Sequence, residues 1–150
     1  MLIRTHVMFA IFLVLIFFQH VSNGFLFLVM VLVGTVVPDL DTNRSSYGRH
    51  LIFRPMQFFM KHRGVLHSFT TAALLSLLIA VFYPVASFGF FLGYVGHLIM
   101  DSFTPDGIRP LWPLKYGSVG PVRTGGRLEE TLFFVMVFVN ILVFIGFYML

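Results

Sequence analysis

The sequence lacks cysteine entirely and has few charged residues, which make up 11% of its 150 positions. Without cysteine the chain has no disulfide framework, no thiolate metal site and no cysteine nucleophile. Soluble domains carry about 25% charged residues. Here 58% of the residues are hydrophobic, 20 are phenylalanine, and the mean hydropathy is +0.93. A core of this size cannot hide that much apolar surface, so the composition excludes a soluble or disordered chain and indicates a membrane protein.

Five apolar segments predict an all-α, polytopic membrane helix bundle of about five spans, formed by one domain over residues 1–150. A spanning helix needs about 20 apolar residues. The predicted spans cover residues 7–21, 25–37, 65–83, 85–103 and 128–150. Because Pro38 stops the second segment, the sequence leaves open whether residues 25–37 cross the membrane or re-enter it.

Two loops, residues 38–64 and 104–127, hold nearly all of the remaining positive charge. With five spans, these loops and the N-terminus lie on one side, which the positive-inside rule makes the cytoplasm. We therefore expect a multi-pass protein of the cytoplasmic (inner) membrane with its C-terminus outside. In the first loop a shared polar face predicts a helix lying in the membrane interface, formed by His50, Arg54, Gln57 and Lys61. The second loop, rich in glycine and proline, predicts irregular or short hairpin structure.

Residue types that bind metals gather at one end of every predicted span. The alternation of the spans brings all of them to the cytoplasmic membrane level, where Glu129 or Glu130 could add a further ligand. Ionisable groups at this depth are costly unless they are paired or bind a cation. The candidate ligands are His6, Asp39, Asp41, His62, His67, His97 and Asp101.

The fourth span contains the clearest pattern, because Gly89, Gly93, His97 and Asp101 recur every fourth residue on one helix face. The glycines allow a neighbouring helix to approach closely. An imidazole and a carboxylate one turn apart can bind one metal ion. They can equally form a hydrogen bond that locks two helices together, and the pair alone does not decide between these interpretations.

Whether the other candidate ligands can reach one site depends on the local backbone conformation. An extended stretch after Pro38 would point Asp39 and Asp41 to opposite sides, which favours Asp39 as a ligand and leaves Asp41 open to a capping role. His62 and His67 reach one site only if His62 precedes the helix. We expect Ser68 to cap that helix.

Histidine and carboxylate ligands suit a divalent metal, zinc first and manganese or iron next. Such an ion activates water for hydrolysis, and Asp39 or Asp41 could serve as the general base. Arginine side chains can hold a phosphate group, although the positive-inside rule also accounts for them. The candidates for substrate binding are Arg63, Arg123 and Arg127.

Taken together, these motifs resemble the YdjM-like family of inner-membrane metal-dependent hydrolases. The matching pieces are Thr5-His6, Pro38-Asp39-x-Asp41, His62-Arg63-Gly64-x-x-His67-Ser68 and Gly96-His97-x-x-x-Asp101-x-x-Thr104-x-x-Gly107. The resemblance implies a likeness to the all-α fold of zinc-dependent phospholipase C and P1 nuclease, in which histidine and aspartate hold a zinc cluster. It implies that the seven candidate ligands bind two or three ions.

The sequence thus predicts a membrane-embedded metal-dependent hydrolase of phosphoester bonds. Its substrate would be a lipid or polyprenyl phosphate from the surrounding membrane, with Asp39, Asp41 and Arg63 as catalytic residues. No nucleic-acid partner is expected. The alternatives are a structural protein whose polar cluster binds no metal, and a small ion-binding or transport protein. The mid-span residues are almost all apolar, apart from Ser76 and Asn140, which weighs against transport.

Overall fold

The computed structural model describes residues 1–41, 50, 54 and 64–149, and it confirms an all-α bundle. Within these ranges the α-helices are α1 (Ile3–Phe17), α2 (Gly24–Val36), α3 (Phe69–Ala80), α4 (Pro84–Ser102) and α5 (Arg127–Tyr148). Short 3-10 helices, Phe18–His20 and Val37–Asp41, extend α1 and α2. The predicted interfacial helix falls outside the described residues, apart from the isolated positions His50 and Arg54.

Within the described residues, four helices are long and apolar enough to cross a membrane: Ile3–His20, Gly24–Asp41, Pro84–Ser102 and Arg127–Tyr148. The second of these includes the 3-10 extension, so its 18 residues reach about 27 Å. The third predicted segment, residues 65–83, contains the shortest of the described α-helices. There α3 has 12 residues and a length of about 18 Å, too short to cross about 30 Å of hydrocarbon alone.

The third segment is short because its first residues do not join the helix. Ser68 caps α3 as predicted, and its side-chain oxygen accepts a hydrogen bond from the backbone N–H of Thr71 at 3.2 Å. Residues 64–68, immediately before α3, form bends and turns. This non-helical approach carries His67 into the protein interior.

The helices alternate in direction, so one end of the bundle collects the polar residues. At the opposite end, the Tyr148 hydroxyl donates to the Leu15 carbonyl at 2.9 Å. The Gln19 side chain donates to the Phe147 carbonyl at the same distance. We call the end at which α1, α3 and α5 begin, and α2 and α4 finish, the polar end.

Helices α2 and α4 pack together so closely that glycine is required between them. A Cβ atom added at Gly93 would lie 2.0 Å from the Val31 carbonyl oxygen, and one at Gly34 would lie 2.1 Å from the Phe90 carbonyl oxygen. At Gly89 the corresponding distance, to the Phe27 carbonyl oxygen, is 2.9 Å. The close approach predicted from the glycines of the fourth span is confirmed, and it brings the end of α2 against His97.

The loop after α4 turns back along the bundle and forms the short hairpin structure predicted for it. An antiparallel bridge joins Ile108 to Ser118 through two hydrogen bonds of 3.0 Å. Ile108 is buried in a core cluster that includes Tyr94 and Leu98 of α4. The loop therefore packs beside α3 and α4 instead of projecting away from them.

Candidate metal centre

Five of the seven predicted ligands meet at the polar end, within two groups that share His97. His6, His97 and Asp101 form one group, and Asp39, His67 and His97 form the other. In each group the candidate donor atoms lie within 4.8 Å of one another. Four of these side chains are buried, and Asp39 is partly buried.

The two central histidines are oriented by hydrogen bonds on the ring nitrogen that faces away from the cluster. His97 Nδ1 lies 2.8 Å from the backbone carbonyl oxygen of Thr35, which can only accept, so Nδ1 carries the proton. His67 Nδ1 lies 3.2 Å from Asp41 Oδ2, a carboxylate oxygen that accepts this proton when the group is ionised. A neutral imidazole whose proton is on Nδ1 presents the lone pair of Nε2, here to the cluster, as histidines that bind metals do.

Around these two Nε2 atoms the spacing fits a shared cation better than it fits hydrogen bonds. His67 Nε2 lies 3.9 Å from Asp39 Oδ1 and 3.6 Å from Asp101 Oδ2. His97 Nε2 lies 3.8 Å and 3.7 Å from the same two oxygens. Hydrogen bonds to nitrogen are typically about 2.7–3.2 Å. Two donors on one tetrahedral zinc ion, each about 2.0–2.1 Å from the metal, stand roughly 3.3–3.4 Å apart.

His6 extends the cluster on the other edge of Asp101. Its ring stacks on His97, with 3.9 Å between centroids and 7° between planes. His6 Nε2 lies 3.3 Å from Asp101 Oδ1, the oxygen that the Met1 amino group also contacts at 2.5 Å. The two carboxylate oxygens of Asp101 therefore face different histidines, Oδ1 facing His6 and Oδ2 facing His67 and His97.

Unsatisfied ring nitrogens provide an independent test of whether a metal fits. Among the described residues, both nitrogens of His6 and Nε2 of His97 are buried without a hydrogen-bond partner. A buried polar atom left unpaired typically costs about 1–3 kcal/mol. Coordination of a cation would satisfy one nitrogen of each ring, since the other nitrogen of a neutral imidazole carries a proton, so the donor set fits a metal. Because His97 Nε2 has a single lone pair, it can serve only one of the two groups at a time.

The protonation of His67 also favours metal binding. Burial lowers the pKa of its imidazole below the ordinary 6.5, and this effect outweighs the hydrogen bond that His67 donates to Asp41, which raises the pKa. The lowered pKa keeps the ring neutral at pH 7. A neutral imidazole can accept a cation without first losing a proton.

The backbone after Pro38 differs from the extended stretch expected there. Residues Val37–Asp41 form a 3-10 helix, so the prediction that Asp39 and Asp41 point to opposite sides of a strand is wrong. The turn instead brings them to the two nitrogens of one imidazole, with Asp39 near Nε2 of His67 and Asp41 at Nδ1. Proline is well tolerated in the first turn of a helix. Pro38 can therefore be the second residue of this 3-10 helix without forcing the backbone after it into an extended conformation.

The two candidate glutamates, Glu129 and Glu130, lie outside the two donor groups. The buried Glu129 carboxylate accepts hydrogen bonds from the backbone N–H of Leu2 at 2.5 Å, the Thr5 hydroxyl at 3.0 Å and the backbone N–H of Gly125 at 2.6 Å. Glu130 is exposed. Glu129 thus ties the beginning of α1 to the beginning of α5, and neither glutamate belongs to the two donor groups.

The predicted substrate-binding arginines are only partly covered by the structure. Arg123 and Arg127 are exposed, near the beginning of α5 at the polar end. Among the described residues, neither guanidinium makes a recorded contact with the histidine–aspartate cluster. His62 and Arg63 lie outside the described residues, so their predicted roles stay predictions.

Two supporting residues escaped the sequence reasoning. Thr35 contributes its backbone carbonyl to His97, and Tyr94 donates its hydroxyl to the Leu66 carbonyl at 2.6 Å, which fixes the residue before His67. Tyr94 could have been found, because it lies three residues before His97 and is the polar aromatic residue on that face of α4. Thr35 gave no such signal, since every residue has a carbonyl group.

Comparison with known proteins gives independent evidence of the family that this chain resembles. The family model described as YdjM inner membrane protein matches residues 1–150. The inner membrane protein YdjM of Escherichia coli (strain K12) is 31% identical over 110 residues, which cover 63% of this chain and 55% of that protein. The Shigella flexneri protein of the same name gives the same values. The protein YvsG of Bacillus subtilis (strain 168), described as uncharacterised, is 27% identical over 122 residues, which cover 71% of this chain and 76% of YvsG.

The chain spans about half the length of the two YdjM relatives. No solved structure matches the chain.

Proposed function

We propose that this chain, which belongs to the YdjM inner membrane protein family, is a metal-dependent hydrolase of phosphoester bonds embedded in the membrane. Its substrate would be a lipid or polyprenyl phosphate that reaches the polar end from the surrounding bilayer. The observation that carries the proposal is the convergence of four donor atoms, two imidazole nitrogens and two carboxylate oxygens, at one end of a bundle of apolar helices.

The residues that would hold the first ion are Asp39, His67, His97 and Asp101. His6 and Asp101 Oδ1 would contribute to a second ion beside it. Mixed nitrogen and oxygen donors suit zinc, and manganese is the next choice. When bound, such an ion supplies Lewis-acid activation of water and neutralises charge on phosphate oxygens.

The exposure of the carboxylates divides their roles. Asp39 has a side chain that is 16% exposed, whereas that of Asp41 is 1% exposed and that of Asp101 is 2% exposed. We therefore assign to Asp39 the contact with the attacking water, as general base. Asp41 acts as a positioning residue, because it holds the proton of His67 on Nδ1 and keeps Nε2 directed at the cluster.

The charges around the site would complete substrate binding. Arg123 and Arg127 are exposed at the same end of the bundle, where guanidinium groups can hold a phosphate in a bidentate way. Arg63 keeps its predicted catalytic and binding role. A phosphate group joined to an apolar tail suits this position, since the tail can remain in the bilayer while the headgroup reaches the arginines.

The test compares the wild type with His97→Ala and with the matched control His20→Ala. His20 is exposed at the end of the bundle opposite the cluster. Each protein would be purified in detergent, stripped with a chelator and reloaded with zinc or manganese. Bound metal would be measured by elemental analysis, and phosphate release would be measured with phosphatidic acid and with a polyprenyl phosphate.

We expect the wild type and His20→Ala to bind at least one ion per chain and to release phosphate. His97→Ala should lose both properties while it remains folded. A folded wild type that binds no metal after supplementation would contradict the proposal and favour a structural, hydrogen-bonded cluster. Equal phosphate release by His97→Ala and the wild type would refute the assigned site.

A further inference from the structure

We propose that residues 108–118 form a re-entrant hairpin that lies in the lipid at the polar end and binds the headgroups of anionic phospholipids. The hairpin is closed by the bridge between Ile108 and Ser118. Its base is fixed to the end of α4, because the Thr104 carbonyl accepts hydrogen bonds from the backbone N–H groups of Gly107 and Gly120, at 3.0 and 2.9 Å. This proposal does not depend on the hydrolase function.

The depth of the hairpin follows from its contacts with α3 and α4. Tyr94, which bonds the residue before His67, lies eight residues before the end of α4, or about 12 Å along the helix axis. Ile108 packs in the core cluster with Tyr94 and Leu98. Within six residues of the end of α4, the chain has therefore returned toward the interior of the bundle.

The short helix α3 leaves the space that the hairpin fills. The backbone N–H of Phe69, the first residue of α3, donates to the Pro110 carbonyl at 2.9 Å. The first N–H groups of a helix have no partner within that helix, and at membrane depth each must find one. The hairpin supplies this partner, and the helix beginning in turn satisfies a carbonyl of the hairpin.

The outer surface of the hairpin has the composition of a lipid contact. Large apolar or aromatic side chains are exposed along its tip, namely Leu111, Trp112, Leu114 and Tyr116. Near the end of α4, Ile99 and the capping residue Phe103 are also apolar and exposed, as expected if this end of the bundle faces lipid. Tryptophan and tyrosine are enriched at this level of membrane proteins.

Two cations complete the surface and identify the lipid class. Arg109 and Lys115 are exposed within the hairpin. Long basic side chains can keep their apolar stems in lipid while their charged ends reach the headgroups. Attraction to an anionic membrane surface contributes about 1 kcal/mol per basic residue, which is roughly fivefold in binding.

The experiment uses the single tryptophan of the chain, Trp112, as a built-in probe. The wild-type protein would be reconstituted into phosphatidylcholine vesicles, and its fluorescence would be quenched either by brominated acyl chains or by iodide in the water. We expect strong quenching by the brominated lipid and weak quenching by iodide. Strong quenching by iodide, or no quenching by the brominated lipid, would overturn the placement of the hairpin in lipid.

A second arm tests the headgroup preference in vesicles that mix phosphatidylcholine with phosphatidylglycerol, with only one of the two lipids brominated. Brominated phosphatidylglycerol should quench Trp112 more than brominated phosphatidylcholine at equal content. The double variant R109Q/K115Q should lose this preference, about fivefold for each charge removed. The control Arg4→Gln, an exposed cation of α1 outside the hairpin, should keep it. An equal response to both lipids in the wild type would overturn the anionic preference.

Discussion

The substitution Gly93→Ala tests whether the contact between α2 and α4 holds the candidate metal centre in place. The added Cβ atom would lie 2.0 Å from the carbonyl oxygen of Val31 and 3.0 Å from the backbone nitrogen of Thr35. Ordinary van der Waals contacts begin at 3.4 Å. Backbone atoms cannot rotate away as a side chain can, so the two helices must separate locally by about 1.4 Å, taken directly from these distances.

This separation should affect stability and the cluster together. Overpacking of a tight contact costs about 1–3 kcal/mol. The hydrogen bond between His97 Nδ1 and the Thr35 carbonyl, now 2.8 Å, would stretch past the range of such bonds. Loss of an orienting partner behind a metal-binding histidine typically weakens metal binding about 10- to 100-fold.

The assay combines denaturant unfolding in detergent with zinc competition against a chromophoric chelator. Gly146→Ala is the matched control, because its Cβ would have no neighbour within 4 Å. Replacing a helical glycine by alanine at such an open position should stabilise the helix by roughly 0.5–1 kcal/mol. The reasoning is refuted if Gly93→Ala retains wild-type stability and zinc affinity, or if Gly146→Ala weakens zinc binding to the same extent.

Two further predictions concern residues that support the cluster. Asp41→Asn should weaken zinc binding about 10- to 100-fold, because the amide is a poorer acceptor for the His67 Nδ1 proton; the chelator competition measures this, and an unchanged affinity would argue against a positioning role. Glu129→Gln should lower the free energy of unfolding by about 1–3 kcal/mol, since its amide NH₂ group would face hydrogen-bond donors. The exposed neighbour Glu130→Gln should unfold like the wild type, and equal losses in both variants would contradict the role of Glu129 in joining α1 to α5.

Much of the fold could be predicted from the sequence, because helices that cross a membrane are recognised from the residues of the helix itself. A helix in lipid must satisfy its own backbone, so long apolar runs could be assigned as spans without knowledge of their neighbours. The glycines of α4 were also interpretable locally, since four-residue spacing places them on one face. Their contacts with the carbonyls of α2 bear out that interpretation.

The parts that were misread depend on contacts between distant residues. Hydropathy extended the third span back to residue 65, but α3 begins at Phe69, where the Pro110 carbonyl supplies the partner that its first N–H needs. That partner lies 41 positions away in the sequence. A window of about 20 residues cannot detect it, and for the same reason it could not show that the loop after α4 packs beside α3.

For the candidate site, the sequence could predict which residues take part, but it could not predict what each of them contacts. Ionisable side chains are rare in an apolar chain, so the sequence could name His67, His97 and Asp101 from their types alone. It favoured Asp39 over Asp41 as a ligand, but it could not show that the two carboxylates approach different nitrogens of one imidazole. The role of the Thr35 carbonyl is harder still to predict, since every residue has a backbone carbonyl and the residue type does not identify the one that matters. Its importance comes from the glycines that bring α2 against α4, so the orientation of His97 is encoded by residues that never touch the cluster.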